Sequence, residues 1–317
     1  MDPDHSLNSA GESVLRQSAL GRTLCHWQPL EGGVSASVYQ MGYLDEVGKR
    51  RDAVVRCHGD VDYARNSHLA ADEFACVSAL HEAGLKVPRP LFLGADQSIF
   101  GRPFAVYEFV KGECITDADG LRRRVPAMAS WLADLHKLDL ACLNFQVSAD
   151  NALLPRQSLR ELSGSPDDEV FERQIRALLQ RLPLRQLSGK PALLHGDYWS
   201  GNLLWQNETL VAVIDWEDFA VGDPLADLGC ARLELLWAAD EAAVRDFTES
   251  YLRARRLDIG DLAGALGYWD LCSVLPFANT FAAMTTTQAE RSNKRRALAG
   301  FIQRAAAALG ETLNLGA

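Results

Sequence analysis

The chain has 317 residues, with 32 Lys+Arg against 42 Asp+Glu for a formal charge of −10, and is 48% hydrophobic and 23% charged. That length suits about two domains and buries roughly three quarters of the unfolded surface, which excludes a stapled miniprotein. An acidic balance without a long basic run excludes a protein that tracks phosphate backbones, so nucleic acid is not an expected partner.

The first residues, MDPDHSLNSAGES, are polar and acidic, and nowhere do about eighteen uncharged apolar residues run together. Neither a signal peptide nor a membrane span is expected. Leu24 to Leu30 and Ser37 to Leu44 read as two strands around a Gly-Gly turn, with Asp52 to Cys57 a third short apolar run. Asn66 to Ala83 reads as a helix that turns Phe74, Val77 and Leu80 to the core, with Ser67 as N-cap and Gly84 past its end; Pro88 and Pro90 then stop it. Leu91 to Gly94 and Phe104 to Val110 add two strands. After Lys111-Gly112 the texture turns helical, near 126–139, 169–182, 224–256, 261–285 and 292–310, and the polar stretch 145–168 reads as a loop or insertion. The boundary is drawn there, giving an N-terminal lobe 1–110 and a C-terminal lobe 111–317. Seven scattered cysteines, with no C-x-x-C pair, spell neither a disulfide framework nor a zinc site and point to a reducing cytoplasm.

One island interrupts the helical texture, Ala192 to Asp227: ALLHGDYWSGNLLWQNETLVAVIDWEDFAVGDPLAD. Leu203 to Trp205 and Leu210 to Ile214 are apolar runs joined by Gln206-Asn207-Glu208, the pattern of a short hairpin. Antiparallel pairing then carries Asn202 and Asp215 to the same open end. An amide and a carboxylate oxygen suit a hard divalent cation such as Mg²⁺, and Asp197, five residues before Asn202, supplies a further carboxylate. His-Gly-Asp occurs twice, at His58-Gly59-Asp60 and at His195-Gly196-Asp197. Arg65 stands five residues after Asp60 and no hairpin follows, so the first copy reads as a loop without a catalytic part.

His195-Gly196-Asp197, Asn202, Asp215-Trp216-Glu217, Gly222-Asp223-Pro224 and Asp227-Leu228 together resemble the aminoglycoside phosphotransferase and choline kinase family, small-molecule kinases with a protein-kinase-like fold. The turn from Glu31 to Ser37, the strand ending in Val54-Val55-Arg56, and the helix with Glu73 before Val87-Pro88-Arg89-Pro90 are similar to the family's small lobe. The resemblance covers about residues 24–240. It implies a two-lobed α+β fold, with a small antiparallel-sheet nucleotide-binding lobe and a mainly helical catalytic and substrate-binding lobe.

By the same resemblance Asp197 is the catalytic carboxylate that orients the acceptor hydroxyl and takes its proton, while Asn202 and Asp215 hold magnesium. His195 and Asp227 support the catalytic loop; Asp223 and Pro224 read independently as the start of a helix. The segment with Gly33 and Ser35 becomes the lid over the phosphates of ATP, or of GTP. Arg56 stands where protein kinases carry lysine and is expected to pair with those phosphates and with Glu73. Tyr107 to Gly112 is the expected hinge, with the backbone near Glu108 and Val110 meeting the base.

The implied activity is transfer of the γ-phosphate to a hydroxyl of a small molecule. A protein kinase is disfavoured, because Trp216-Glu217 follows Asp215 and Gly222 comes too soon for an activation segment. A catalytically weak or dead nucleotide-binding protein is disfavoured by the presence of Asp197, Asn202 and Asp215 together. Acids Glu217, Asp218, Glu234 and Asp270 and aromatics Trp216, Phe219, Trp237 and Trp269 lie on segments expected to wall the acceptor cleft. Carboxylates beside aromatic faces suit a cationic amino sugar or amino alcohol, while neutral sugars, amino-acid-like alcohols and macrolides stay open as acceptors.

Overall fold

The structure is a computed structural model that describes residues 3–30, 36–143, 168–182, 191–257, 262–278 and 280–315. Its internal contacts divide into two units, each built around its own core. The first takes the described residues up to Glu113 together with Leu143 and Leu204–Glu217; the second takes Cys114–Cys142, the described residues from Asp168 to Leu203, and those from Asp218 onward.

In the first unit a helix, α1 (Pro3–Ser18), precedes strands β1 (Thr23–Pro29), β2 (Ala36–Leu44) and β3 (Arg50–His58). After a short helix α2 (Asp60–Arg65) and a longer α3 (Leu69–Glu82) come β4 (Pro90–Gly94) and β5 (Phe104–Glu108). The five strands form one sheet in the order β1-β2-β3-β5-β4, every neighbour antiparallel. Alternation along β3 decides what the sheet carries. Ala53, Val55 and Cys57 point into a core with Val14, Leu15, Trp27, Met41, Tyr43, Phe104 and Val106. Each large apolar side chain buried there contributes about 1.5–3 kcal/mol. Arg56 and His58, one residue out of phase, therefore share the opposite face. Helix α3 buries Leu69, Glu73, Cys76 and Leu80 at helical spacing, so Glu73 is the one charged member of an apolar stripe.

Leu204–Glu217 joins this unit through its hairpin, β7 (Leu203–Gln206) and β8 (Thr209–Val213), numbered after the short β6 (Ala192–Leu194). Trp205 exchanges two backbone hydrogen bonds of 3.0 Å with Glu113, Lys86 Nζ donates to the Leu210 carbonyl at 2.8 Å, and Gln206 Nε2 donates to the Lys111 carbonyl. The division thus differs from a single cut near residue 111. Long-range hydrogen bonds, which leave no mark in local sequence, bring the hairpin back to the sheet unit.

The second unit is mainly helical: α4 (Ala118–Leu135), α5 (Glu172–Arg181), α6 (Leu225–Ala238), α7 (Glu241–Arg255), α8 (Ala263–Val274) and α9 (Gln288–Ala308). Its only described sheet pairs β6 with β9 (Ala220–Gly222), Leu193 opposite Val221. Capping explains most of the shifts from expectation. Helix α4 begins at Ala118, not 126, because Asp117 accepts the Gly120 N–H at 2.7 Å. The helix expected over 224–256 breaks after Ala238, where Asp240 caps α7 by accepting the Ala243 N–H at 2.9 Å. Thr287 caps α9 in the same way, four residues earlier than expected. Ser67 does not cap α3; Asn66 Oδ1 takes the His68 N–H instead, and α3 starts at Leu69. The region read as a loop after the first His-Gly-Asp holds α2. Of the stretch 145–168 only Asp168 is described, at the start of a short 3-10 turn.

Candidate active site

On the outer face of β3 the first unit assembles an ionic cluster. Arg56 Nη2 donates to Asp215 Oδ1 and to Glu217 Oε2, both at 2.6 Å, and Arg56 Nε lies 3.4 Å from Glu73 Oε2. His58 Nε2 stands 2.9 Å from Glu73 Oε2 and its Nδ1 3.5 Å from Glu217 Oε2, ion-pair contacts off the hydrogen-bond direction. The side chains of His58 and Glu73 are 3% exposed, whereas that of Asp215 is 32% exposed, so only one of the three acids opens to solvent.

Burial works against each charge, and neighbours decide the outcome. For Arg56, burial opposes the cation but Glu73, Asp215 and Glu217 outweigh it, so its pKa is raised. Burial likewise opposes His58, yet Glu217 and Glu73 push it up to about 9. Glu73 is lowered, Arg56 and His58 overcoming its burial. Asp215 goes the other way: burial, Glu217 and Glu73 raise it against the pull of Arg56. The first His-Gly-Asp is thereby corrected. Its Asp60 pairs with Arg102 at the surface, but its His58 is buried in this cluster. Glu217, expected to wall the acceptor cleft, lies with its carboxylate against Arg56 and His58. The expected contact of Arg56 with Glu73 is present; those with Asp215 and Glu217 were not anticipated.

In the second unit β6 runs into His195-Gly196-Asp197, and the pairing of β6 with β9 fixes where that loop starts. Gly196 has φ +87 and passes so near the Asp218 carbonyl that a Cβ would lie 2.0 Å from it, so both backbone angle and space demand glycine. Buried Asp227 clamps the loop: Oδ2 accepts the His195 N–H at 2.7 Å and Oδ1 the Gly196 N–H at 2.9 Å. Its Oδ2 also lies 3.1 Å from His136 Nε2, while His136 Nδ1 is 2.7 Å from the Tyr251 hydroxyl. Burial lowers the pKa of His136 against the pull of Asp227. The neutral ring then donates from Nε2 and accepts from Tyr251. Asp227 stays ionised, its pKa lowered despite burial, by His136 first and then by the His195 amide.

Asp197 hangs from this clamp. Its N–H donates to His195 Nδ1 at 3.2 Å, and its Oδ2 accepts from Asn202 Nδ2 at 2.9 Å and from Trp199 Nε1 at 3.2 Å. Asn202 Nδ2 also donates to the Asp197 carbonyl at 2.9 Å, and the residue is buried. The amide nitrogen is committed to Asp197, so the oxygen is the atom Asn202 offers a ligand. Glu234, on α6, has a pKa raised to about 7 by burial and by the charge of Asp197, with Lys294 opposing.

Gly33 and Ser35 lie outside the described residues. Glu108 sits exposed at the end of β5 and its N–H is spent on the Arg89 carbonyl at 2.8 Å, so it has no donor for a base; Val110 follows half-buried. Asp223 accepts the Leu225 N–H at 2.9 Å, and Pro224 is the N-cap of α6, so the helix starts at Leu225, one residue later than a cap at Asp223 would place it. Asp218 is exposed. Asp270 is paired with Arg232 through both carboxylate oxygens at 2.9 Å and serves the helical core. Trp216 and Trp269 are likewise core residues. Sequence reasoning missed His136, which carries no local signal, and His58, which the two-residue period of β3 places beside Arg56.

An antiparallel sheet unit with a charged third strand, and a helical unit with a clamped His-Gly-Asp loop, define a kinase-like phosphotransferase. A profile of the phosphotransferase enzyme family matches residues 26–267, and the chain belongs to that family. The fold is similar to that of a choline/ethanolamine kinase family protein from Mesorhizobium loti, with 16% identity and a TM-score of 0.62 over 96% of this chain and 99% of that one. It is equally similar to a thermostable variant of aminoglycoside phosphotransferase APH(4)-Ia in ternary complex with ADP and hygromycin B, with 14% identity and a TM-score of 0.62 over 93% and 98%. Acyl-CoA dehydrogenase family member 11 of Gallus gallus is 29% identical over 245 residues, 70% of this chain and 31% of that protein. The chain spans less than a third of the length of the curated relatives it matches. No helix among the described residues is long and apolar enough to cross a membrane.

Proposed function

We propose that the protein transfers the γ-phosphoryl group of ATP to a hydroxyl of a small molecule bearing an ammonium group. The observation that carries this is the state of Asp197: a half-buried carboxylate fixed at Oδ2 by Asn202 and Trp199, on a loop tied to Asp227 by two backbone hydrogen bonds. Such an anchored carboxylate orients an acceptor hydroxyl and takes up its proton as the new oxygen–phosphorus bond forms and the bond to the leaving ADP breaks. Phosphoryl transfer spreads negative charge over oxygens, so the rest of the protein's task is positioning and neutralisation.

Arg56 suits the phosphates, since its fork is charged at every working pH and grips oxygens two at a time. Asp215 and Asn202 suit Mg²⁺: a carboxylate and an amide oxygen are the hard donors this ion takes, with water and phosphate completing its shell. Bound magnesium supplies charge neutralisation on the phosphates. Val110 and the carbonyls past β5 suit the base. The complexes of APH(4)-Ia with ADP support a nucleotide as donor.

The ammonium of the acceptor is argued from Glu234. A carboxylate held half-buried near the charge of Asp197 is relieved by a cation as readily as by a proton, and Trp237 on the same helix, stacked edge-on with Phe277 at 4.9 Å, adds an aromatic face. The described cysteines are free thiols, which supports a reducing cytoplasm as the place of the reaction. A panel of amino sugars and amino alcohols, with neutral sugars as controls, tests the proposal by ADP release coupled to a spectrophotometric readout. Magnesium-dependent release that rises only with amine-bearing acceptors is expected; no release above the rate with water alone refutes it.

A further inference from the structure

Four of the five charged groups gathered around Arg56 form a closed ring in which cations and carboxylates alternate. Arg56 touches Glu73 and Glu217; His58 touches the same two. The shared atoms are the same oxygens: Glu73 Oε2 faces Arg56 Nε and His58 Nε2, and Glu217 Oε2 faces Arg56 Nη2 and His58 Nδ1. Asp215 stands outside the ring, attached only through Arg56 Nη2. It is also the most exposed of the three acids. The ring has no counterpart in a simple lysine–glutamate pair, where one ammonium meets one carboxylate.

We infer that His58 and Glu217 are positioning residues for Arg56, holding its guanidinium toward the nucleotide phosphates when the Asp215 carboxylate turns to its own ligand. The inference rests on the roles given above to Arg56 and Asp215. If Asp215 leaves Arg56, the remaining partners are Glu217 at 2.6 Å and Glu73 at 3.4 Å. Without Glu217 a long side chain keeps a single loose contact and its rotamer freedom returns. Without His58 the two buried carboxylates face each other through Arg56 alone, and their repulsion drives Glu217 away from the place where it holds the guanidinium. The strand enforces the arrangement, because residues 56 and 58 must project from one face.

The test compares wild type with His58→Phe, which keeps ring volume but loses both nitrogens, His58→Gln, which keeps one donor, and Glu217→Gln, which keeps the shape. Binding of Mg·ATP is measured by isothermal titration and followed by kinetics against ATP and against the acceptor. His58→Phe and Glu217→Gln are expected to weaken Mg·ATP binding and raise KM for ATP roughly tenfold, the scale of one lost buried charged contact. KM for the acceptor stays within about twofold, and His58→Gln recovers part of the loss. In the pair Arg56→Ala/His58→Phe, binding is expected to be no weaker than in Arg56→Ala alone, since His58 acts only through Arg56. A lowered melting temperature with wild-type ATP affinity, or additive losses in the pair, overturns the inference. If Arg56→Ala and Asp215→Ala lose Mg·ATP while the His58 and Glu217 variants keep it, this inference alone fails. If wild type binds no Mg·ATP, the kinase reading fails with it.

Discussion

Replacing Asp227 with alanine strips the acceptor from three donors at once: the buried His195 N–H at 2.7 Å and His136 Nε2 at 3.1 Å, and the half-buried Gly196 N–H at 2.9 Å. A hydrogen bond to a charged acceptor contributes about 1.5–3 kcal/mol, and a buried donor left without a partner costs about 1–3 kcal/mol. The three do not add, because one relaxation of the loop serves all of them. Removing one partner of a buried charged pair typically costs about 3–5 kcal/mol, and that is the loss expected here. Against a total stability of about 5–15 kcal/mol the variant folds, with a urea midpoint well below wild type and an unchanged slope. The loop that carries Asp197 loosens as well, and a displacement of about 1 Å lowers kcat by roughly a hundredfold. The pH dependence has a definite sign. The folded pKa of Asp227 lies below the ordinary 3.8, so its stabilisation is present in full above that value and is lost only as pH falls through the lower, folded one. The gap between wild type and Asp227→Ala is therefore level from pH 8 to about 5. Urea unfolding followed by tryptophan fluorescence at both ends checks it; a loss under about 1 kcal/mol would falsify the claim that Asp227 clamps the loop.

The two His-Gly-Asp copies are expected to separate in steady-state kinetics: Asp197→Asn lowers kcat by roughly 10²–10⁴-fold, while Asp60→Asn, a surface partner of Arg102, leaves it near wild type. Equal effects would show that the wrong copy was chosen. Arg56→Ala is expected to lose roughly tenfold to a hundredfold in kcat/KM for ATP, with Arg56→Lys recovering only part; an unchanged value in Arg56→Ala refutes the phosphate contact. Glu234, with a folded pKa of about 7 against an ordinary 4.5, holds a proton that the unfolded chain releases, so its contribution is full below 4.5 and lost as pH rises through 7. Glu234→Gln should melt higher than wild type at about pH 8.5 and close to it at about pH 5; the opposite order removes the basis for an ammonium subsite.

The strands of the sheet unit were legible because alternating apolar runs bounded by Gly and Pro carry a period that few other structures share. Helix interiors were legible for the same reason, but their ends were not. Asp117, Asp240 and Thr287 are ordinary polar residues in the sequence and become caps only because a particular N–H sits three residues on. Around His195-Gly196-Asp197, spacing foretold which side chains meet: Asn202, five residues on, bonds Asp197 at 2.9 Å, and Asp227 reaches the same loop from the start of a helix. The partners of Arg56 were half hidden. Glu73 follows from the order of strand and helix, but Glu217 lies 161 positions away and reaches Arg56 only through the tertiary path of the hairpin. His58 lies one residue past the expected strand Asp52 to Cys57; β3 runs on to include it, and the two-residue period then puts it on the face of Arg56.

The Asp-Trp-Glu sequence at 215–217 and the arginine at 56 are best understood as one solution. Asp215 has φ +68, a left-handed conformation that costs a non-glycine residue about 1–2 kcal/mol. Something must hold it there. Trp216 does so: it is 1% exposed and its Nε1 donates to the Val213 carbonyl at 3.1 Å, closing the chain at the end of β8 into a turn. With the indole buried, the residues on either side have little freedom, and both carboxylates reach the same Arg56 nitrogen at 2.6 Å. A lysine at position 56 offers a point charge on one nitrogen, without the separate Nε that faces Glu73 at 3.4 Å while Nη2 holds the other two carboxylates. An arginine with a glycine at 217 meets the reverse difficulty, since Asp215 is then its one partner at 2.6 Å and only the looser contact with Glu73 at 3.4 Å holds the guanidinium back when that carboxylate moves. The glutamate lets Asp215 move while Arg56 stays, which is why the residue after the tryptophan is expected to tolerate change less well than its half-buried position suggests.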